Sequence, residues 1–258
     1  MRDILEKLSK GEISVDEAER SLKIGIVENV TNVARLDIGR VIRRGVPEIV
    51  FAEGKSNEDL IQISRRMLEK NGRVLISRVD EHQLKILKEN LSACEIEQPP
   101  HAALALIRRK GSTNTKSGGR VGIITAGTVD LAAAEESAMI AKEMGCEAFL
   151  EVDAGVAGLH RLVEPLTNLM RKDIDVLVVA AGREGALPTV VAGLVDVPIV
   201  ALPTSSGYGY GGHGRAALMA MLQACSLGLA VVNIDSGIAA GVVAAQIANR
   251  VSRARNRT

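Results

Sequence analysis

Between Asp175 and Gly214 two apolar segments, DVLVVAA and PIVAL, each run into a glycine-rich turn, and each turn opens a helix-like segment. That repetition constrains the fold more than any other feature of the chain. Buried-type strands alternating with helices call for a parallel sheet covered on both faces. In such sheets ligands bind outside the carboxyl ends of the strands. The first turn carries Arg183 and Glu184, and the second carries Ser205, Ser206, Tyr208, Tyr210 and His213. Charged and hydroxyl side chains on loops held by an apolar scaffold point to chemistry more than to packing.

The same alternation extends over the whole carboxyl half. Strands are expected at 121–126, 147–152, 175–181, 198–202 and 229–234, and helices near 131–144, 158–171, 186–194, 214–227 and 238–252. The dinucleotide-binding fingerprint GxGxxG does not follow the first strand. The expected fold class is therefore α/β, a three-layer α/β/α domain on a parallel sheet, preceded by a small α/β amino-terminal domain.

The charged residues concentrate before residue 118, and GSTNTKSGGR (111–120) has the polar, Gly/Ser-rich character of a linker. Domains are accordingly placed at 1–118 and 119–258. In the first, Asp3–Leu8 and Val15–Ser21 have helical spacing, with Ser14 and Glu17 placed for a capping box. VPEIVFAEG and GRVLISRV read as strands flanking a helix over Asn57–Lys70. Asp80 is placed to cap a further helix over Glu81–Asn90. Arg40, Arg43 and Arg44 share one short helix, as a solvated face or as a contact for a phosphate or a neighbouring subunit.

Composition excludes several classes. A net charge of +1 gives no field for nucleic acid or membrane surfaces. An aromatic content of 2% without tryptophan argues against a base-stacking platform. No apolar run reaches the roughly 18 residues of a membrane span, and the charged first residues contain no signal-peptide core. Cys94, Cys146 and Cys225 are too widely spaced for a zinc motif or a disulfide framework, so a reducing, cytoplasmic setting is expected.

In a parallel sheet the five loops after the strands share one edge. They carry, in order, Thr128 and Asp130; Asp153 and Gly155; Arg183 and Glu184; Ser205, Ser206, Gly207, Tyr208 and Gly209; and Asn233, Asp235 and Ser236. Hydroxyls, carboxylates and backbone N–H groups at helix starts suit an anionic ligand such as a phosphate. Thr128 and Asp130 serve as helix caps or as ligand contacts. Asp153 serves as a turn residue or as a catalytic carboxylate beside Glu184. Glu184, after a fully apolar strand, is placed to act as a tunable base. Cys225 by itself reads as a small buried hydrophobe. Late in its helix, it sits where the dipole disfavours a thiolate, so a nucleophilic role needs a base nearby.

The segments TAGTVDLAAAEES, VDAGVAGLHRL, AAGREGALPTVVAGLVDVPIVALPTSSGYG and MLQACSLGLAVVNIDSGIAAG, in that order, resemble the aminoimidazole ribonucleotide (AIR) carboxylase and mutase superfamily (PurE). Within it the chain is most similar to the LarB family, whose additional amino-terminal domain ARLDIGRVIRRGVPEIVFAEGK also resembles. The resemblance implies a pyridinium carboxylase and hydrolase of nickel-pincer nucleotide cofactor synthesis. Its substrate is nicotinic acid adenine dinucleotide, carboxylated at C5 of the pyridinium with carbon dioxide or bicarbonate. The resemblance also implies hydrolysis of the phosphoanhydride, in an order relative to carboxylation that it leaves open, which releases AMP and pyridinium-3,5-biscarboxylic acid mononucleotide. The family's catalytic cysteine falls on Cys225 and its glutamate on Glu184. Magnesium is implied as a substrate-bound ion rather than one held in a protein cage. A homo-oligomer, an octamer, is implied as well.

The chain departs from its relatives at three places. Ala186 stands where purine-pathway carboxylases carry a histidine, which weighs against the purine reaction. Val129 stands where many LarB proteins have serine. NIDSGIAAG replaces the more usual NIDNGFGAG, so contacts at Ser236 and Ile238 are not carried over. The alternatives are an AIR carboxylase or mutase and a non-catalytic nucleotide-binding relative. Helices run antiparallel to the strands in such a sheet, so Cys225 is expected near the edge opposite Glu184. That arrangement predicts a site shared between subunits.

Overall fold

The computed structural model describes residues 2–24, 28–30 and 34–256. The chain divides into two compact units, one of residues 1–98 and 103–112, the other of residues 99–102 and 113–258. The division falls at residue 112, earlier than the expected 118. The reason is that the polar stretch is fastened to the second unit. The Asn114 amide donates to the carbonyls of Lys142 and Glu143 at 2.9 and 2.6 Å, and the Ser117 hydroxyl donates to that of Gly145 at 2.9 Å.

The first unit opens with helices α1 (Arg2–Ser9) and α2 (Val15–Ile24), followed by a hairpin of β1 (Glu28–Val30) and β2 (Ala34–Leu36) and the short α3 (Arg40–Arg44). The expected Ser14–Glu17 box forms, with Glu17 N–H donating to the Ser14 hydroxyl and Ser14 N–H to the Glu17 carboxylate. On α3, Arg40 pairs with Glu48 and Arg43 with Asp37, as a solvated face does. A four-stranded sheet follows. It contains β3 (Ile49–Phe51), β4 (Arg73–Ser77), β5 (Cys94–Glu97) and β6 (Leu104–Arg109), in the order β3-β4-β6-β5. Helices α4 (Asn57–Asn71) and α5 (Glu81–Asn90) close its core. Ser56 caps α4, and Asp80 with Gln83 makes the capping box of α5. The hairpin of β5 and β6 is absent from the sequence reading.

The second unit is a five-stranded, all-parallel sheet. Its strands are β7 (Arg120–Thr125), β8 (Glu147–Glu151), β9 (Val176–Ala181), β10 (Ile199–Pro203) and β11 (Leu229–Val231), ordered β11-β10-β9-β7-β8. Helices α6 (Leu131–Glu143), α7 (His160–Arg171), α8 (Leu187–Ala192), α9 (Arg215–Leu222) and α10 (Gly237–Arg255) alternate with them. Leu177, Val179, Ala181 and Ala201 face a core shared with α7, α8 and α9. On the other face α6 and α10 pack at backbone range. A Cβ on Gly241 would lie 2.7 Å from the Ser137 carbonyl oxygen, and one on Gly237 2.2 Å from that of Ala133. Alanine and glycine line this contact because nothing larger fits between the two backbones.

The amino edge of the sheet is closed by polar pairs. Asp175, buried, accepts from the Arg120 N–H at 2.7 Å and pairs with Arg255. Nearby, burial pushes the Cys146 thiol from 9.0 up to about 11, so this cysteine is an inert thiol of the packed layer.

Candidate active site

The strand order puts a topological switch between β7 and β9, where chain connections leave in opposite directions. A crevice opens there at the carboxyl ends of the strands. The loops after β7 (126–130) and β9 (182–186) flank it, and the loop after β10 (204–214) closes over it. The expected convergence of five polar loops on one edge follows from the all-parallel pairing.

Asp130 organises this edge. It is 2% exposed, yet its carboxylate makes no cap bond to α6. One oxygen accepts from the Thr204 hydroxyl at 2.5 Å and the Ser206 hydroxyl at 2.9 Å, and the other accepts from Gly127 N–H at 2.9 Å. The two hydroxyls lie 2.9 Å apart. The capping reading is met in part, since the carboxylate closes the 3-10 turn at Gly127 but bonds no N–H of α6. The acid satisfies its burial by tying the loop after β10 to the loop after β7. Asp235 does the same from the fifth loop, accepting Ser205 N–H at 2.8 Å.

Glycine brings the loops after β9 and β10 into backbone contact. A Cβ on Gly182 would fall 1.9 Å from the Ser206 hydroxyl oxygen, and one on Gly207 would fall 2.9 Å from the Arg183 nitrogen. Between them a four-residue turn, closed by Gly185 N–H to the Gly182 carbonyl at 2.8 Å, presents Arg183 and Glu184. Arg183 adopts φ +46°, the left-handed region that costs an L-residue about 1 kcal/mol or more. Asp153, His213 and Asp235 are also left-handed, so strain gathers along this edge.

Glu184 is exposed, and its carboxylate has no partner among the described residues. Arg183 lays its guanidinium over the Tyr208 ring, 4.4 Å from the centroid. The N–H groups of Ser206, Gly207 and Tyr208 meet no acceptor among the described residues. These donors are left available to an anionic ligand. Gly209 at φ +77° has open space around its Cα, so this loop is not packed shut.

The other predicted residues fall on the same edge with differing roles. Thr128 is exposed in a short 3-10 turn, and its carbonyl accepts from Leu131 N–H. The Val129 side chain beside it is 73% exposed. Asp153 lies in the turn after β8, where its carboxylate and carbonyl bind the Arg161 guanidinium at 2.9 and 2.7 Å. Gly155 allows its loop to approach the Ala126 carbonyl, which an added Cβ would meet at 2.7 Å. The Asn233 side-chain oxygen accepts from Ile234 N–H. Ala186 is the residue immediately before α8.

Cys225 stands apart from all of these. Helix α9 ends at Leu222, so the thiol lies in a loop and not in a last helical turn as expected. The chain leaves the helix because Ser226 donates to the Thr189 carbonyl at 2.9 Å, and Gly228 turns it into β11 at φ +85°. The Gly228 carbonyl accepts from Ile199 N–H, which places this loop at the amino ends of β10 and β11. Strands of five and six residues, on the order of 15–20 Å, separate that edge from the edge of Glu184. Cys225 is exposed and free.

Sequence reasoning missed Thr204 and Gly182. Thr204 ends an apolar strand, and a hydroxyl buried there is the signal that could have found it. Among the described residues no group of three His, Cys, Asp or Glu side chains is arranged to hold a metal ion. No described helix is long and apolar enough to cross a membrane.

Comparison with known proteins assigns both units. Residues 27–108 match the LarB/PurE-like N-terminal domain, and residues 120–257 match AIR carboxylase. An uncharacterized protein of Methanocaldococcus jannaschii is 40% identical over 251 residues, 96% of each chain. The N5-carboxyaminoimidazole ribonucleotide mutase of the same organism is 32% identical over 127 residues, 48% of this chain and 76% of the mutase. That of Thermotoga maritima is 27% identical over 129 residues, 50% of this chain and 74% of the mutase.

Proposed function

The chain belongs to the LarB family within the AIR carboxylase superfamily, and from that premise we propose that it carboxylates the pyridinium of nicotinic acid adenine dinucleotide and cleaves its phosphoanhydride. The observation that carries this reading is the character of the carboxyl edge. A solvent-accessible, unpartnered Glu184 lies beside free backbone donors suited to phosphate, and Ala186 replaces the histidine of the purine reaction.

A pyridinium carbon is electron-poor, so C5 does not attack carbon dioxide directly. Glu184 takes the proton of Cys225 from a neighbouring chain. The thiolate adds at C4 or C6, forming a carbon–sulfur bond whose electrons neutralise the ring nitrogen and leave C5 an enamine carbon. C5 then bonds to carbon dioxide. Loss of the C5 proton to solvent and departure of the thiolate restore the aromatic cation. Water attacks the phosphoanhydride and AMP leaves, its phosphate held by the Ser206–Tyr208 donors. Magnesium belongs to this proposal as an ion that would arrive with the substrate and would supply charge neutralisation, since the described residues form no cage for one, and no step is assigned to it.

The test is incubation with the dinucleotide, bicarbonate and magnesium, followed by mass spectrometry. The expected products are AMP and a mononucleotide heavier by one carboxylate, the carboxylated product being absent with Cys225→Ala. Conversion of N5-carboxyaminoimidazole ribonucleotide instead would establish the mutase reading. Tight nucleotide binding without any turnover would make the chain a binding protein.

A further inference from the structure

Arg183 and Tyr208 come from different loops, yet their backbones are locked together. Gly207, the residue before Tyr208, abuts Arg183 so closely that a Cβ would meet the Arg183 nitrogen at 2.9 Å and its Cα at 3.1 Å. The tyrosine ring is 78% exposed. It is thus an exposed aromatic surface at the mouth of the crevice, on a loop held to Arg183 at Gly207 and one residue beyond the free N–H groups of Ser206 and Gly207. The structure shows what such a surface holds: a planar cation, the guanidinium, 4.4 Å from the ring centroid. Arg183 has no ion pair among the described residues to keep it there.

We infer that the Tyr208 ring is a receptor for a planar, positively charged heteroaromatic ring, and that the Arg183 guanidinium occupies it until such a ligand arrives. This rests on the substrate class proposed above and deepens it. A pyridinium is flat and cationic, so it is attracted by the same ring quadrupole that holds the guanidinium. The displaced Arg183 is released toward the ligand's phosphate or carboxylate, which a guanidinium binds through paired hydrogen bonds. Exchange conserves the cation–ring contact and adds a charge-assisted pair. One face of the bound ring lies on Tyr208, and the opposite face is open to the thiolate of a neighbouring chain. The device selects on ring charge: a neutral dihydropyridine of the same shape loses the attraction and leaves Arg183 in place.

Calorimetric titration with nicotinic acid mononucleotide and with its neutral dihydropyridine form, both without bicarbonate, tests this. The parent chain and Tyr208→Phe are expected to bind the cation about tenfold more tightly than the neutral form. Tyr208→Leu is expected to lose that preference while keeping its affinity for the neutral nucleotide. The chain has two tyrosines and no tryptophan, so in a Tyr210→Phe background the fluorescence comes from Tyr208 and is expected to be quenched by the cation. Full charge preference in Tyr208→Leu, or unchanged emission at saturation, overturns the inference. Turnover of the dinucleotide separates it from the proposed function. Carboxylation by a chain whose Tyr208→Leu variant still prefers the cation defeats the receptor alone. Charge preference without carboxylation defeats the reaction alone.

Discussion

Gly182 is the residue on which the geometry of the crevice turns most directly. Its missing Cβ leaves the space that the Ser206 hydroxyl occupies, 1.9 Å from where that carbon would stand, with Thr204 at 2.9 Å. Gly182→Ala forces Ser206 off Asp130 and spreads the two loops. The expected cost in stability is about 1–3 kcal/mol, as for other overpacked sites. In kcat/KM the loss is about 100-fold, because displacements on the order of 1 Å are expensive in catalysis. Steady-state kinetics and thermal melting check this, and full activity in the variant would show that the Ser206–Asp130 link is dispensable. The placement of Glu184 and Ser205 at the carboxyl edge was legible in the sequence, because each follows an apolar run of a parallel sheet. Gly182 and Thr204 were not, since each derives its role from a loop more than twenty residues away or from burial beneath it. Asp130 was legible as a residue of interest but not as a tie between loops, because a carboxylate before a helix reads equally well as a cap.

At the scale of elements, the pairing of α6 with α10 sets how far the strands they cover can shift. A Cβ on Gly241 would lie 2.7 Å from the Ser137 carbonyl oxygen and 2.9 Å from the Ile140 Cβ, and the Ser137 hydroxyl donates to the Gly237 carbonyl at 2.9 Å. Gly241→Val pushes the helices apart along the whole contact. The expected destabilisation is about 3 kcal/mol, which lowers the melting temperature by about 6–12 °C. Calorimetry decides it, and a melting temperature within a degree of the parent would mean that the helices do not touch as described. The strands of the parallel sheet were readable because their apolar runs are bounded by glycine, proline or charge. The hairpin of β5 and β6 was not. Cys94–Glu97 spans four residues that alternate between half-buried and exposed, and LALIRR follows a proline pair that reads as irregular chain. Their pairing through Ile96 and Ile107 is a tertiary choice. Helix α9 was drawn too long for a similar reason: Gln-Ala-Cys-Ser-Leu has no helix breaker, and the stop comes from the Ser226 bond to α8.

For the whole molecule, the positions of Glu184 and Cys225 decide what assembly an active protein needs. The two groups belong to opposite edges of one sheet, with about 15–20 Å of strand between those edges. A base and the thiol it deprotonates must come within hydrogen-bond range, about 3 Å. One chain therefore does not form the pair, and the proposed reaction requires a second copy that brings the loop of Cys225 to Glu184. Met219, Leu222 and Leu227, on the segments flanking that thiol, are 70%, 68% and 91% exposed, apolar side chains that such a contact would cover. Cys225→Ala and Glu184→Ala chains are each expected to be inactive alone. Denatured together in equal amounts and refolded, they restore about a quarter of the parent activity, the fraction of shared sites that randomly receive an intact cysteine from one side and an intact glutamate from the other. A site built within one chain gives none, because no chain in the mixture carries both groups. Zero recovery in mixed oligomers of parental size, confirmed by native mass spectrometry, would return Cys225 to the role of a surface thiol and require another nucleophile at the edge of Glu184.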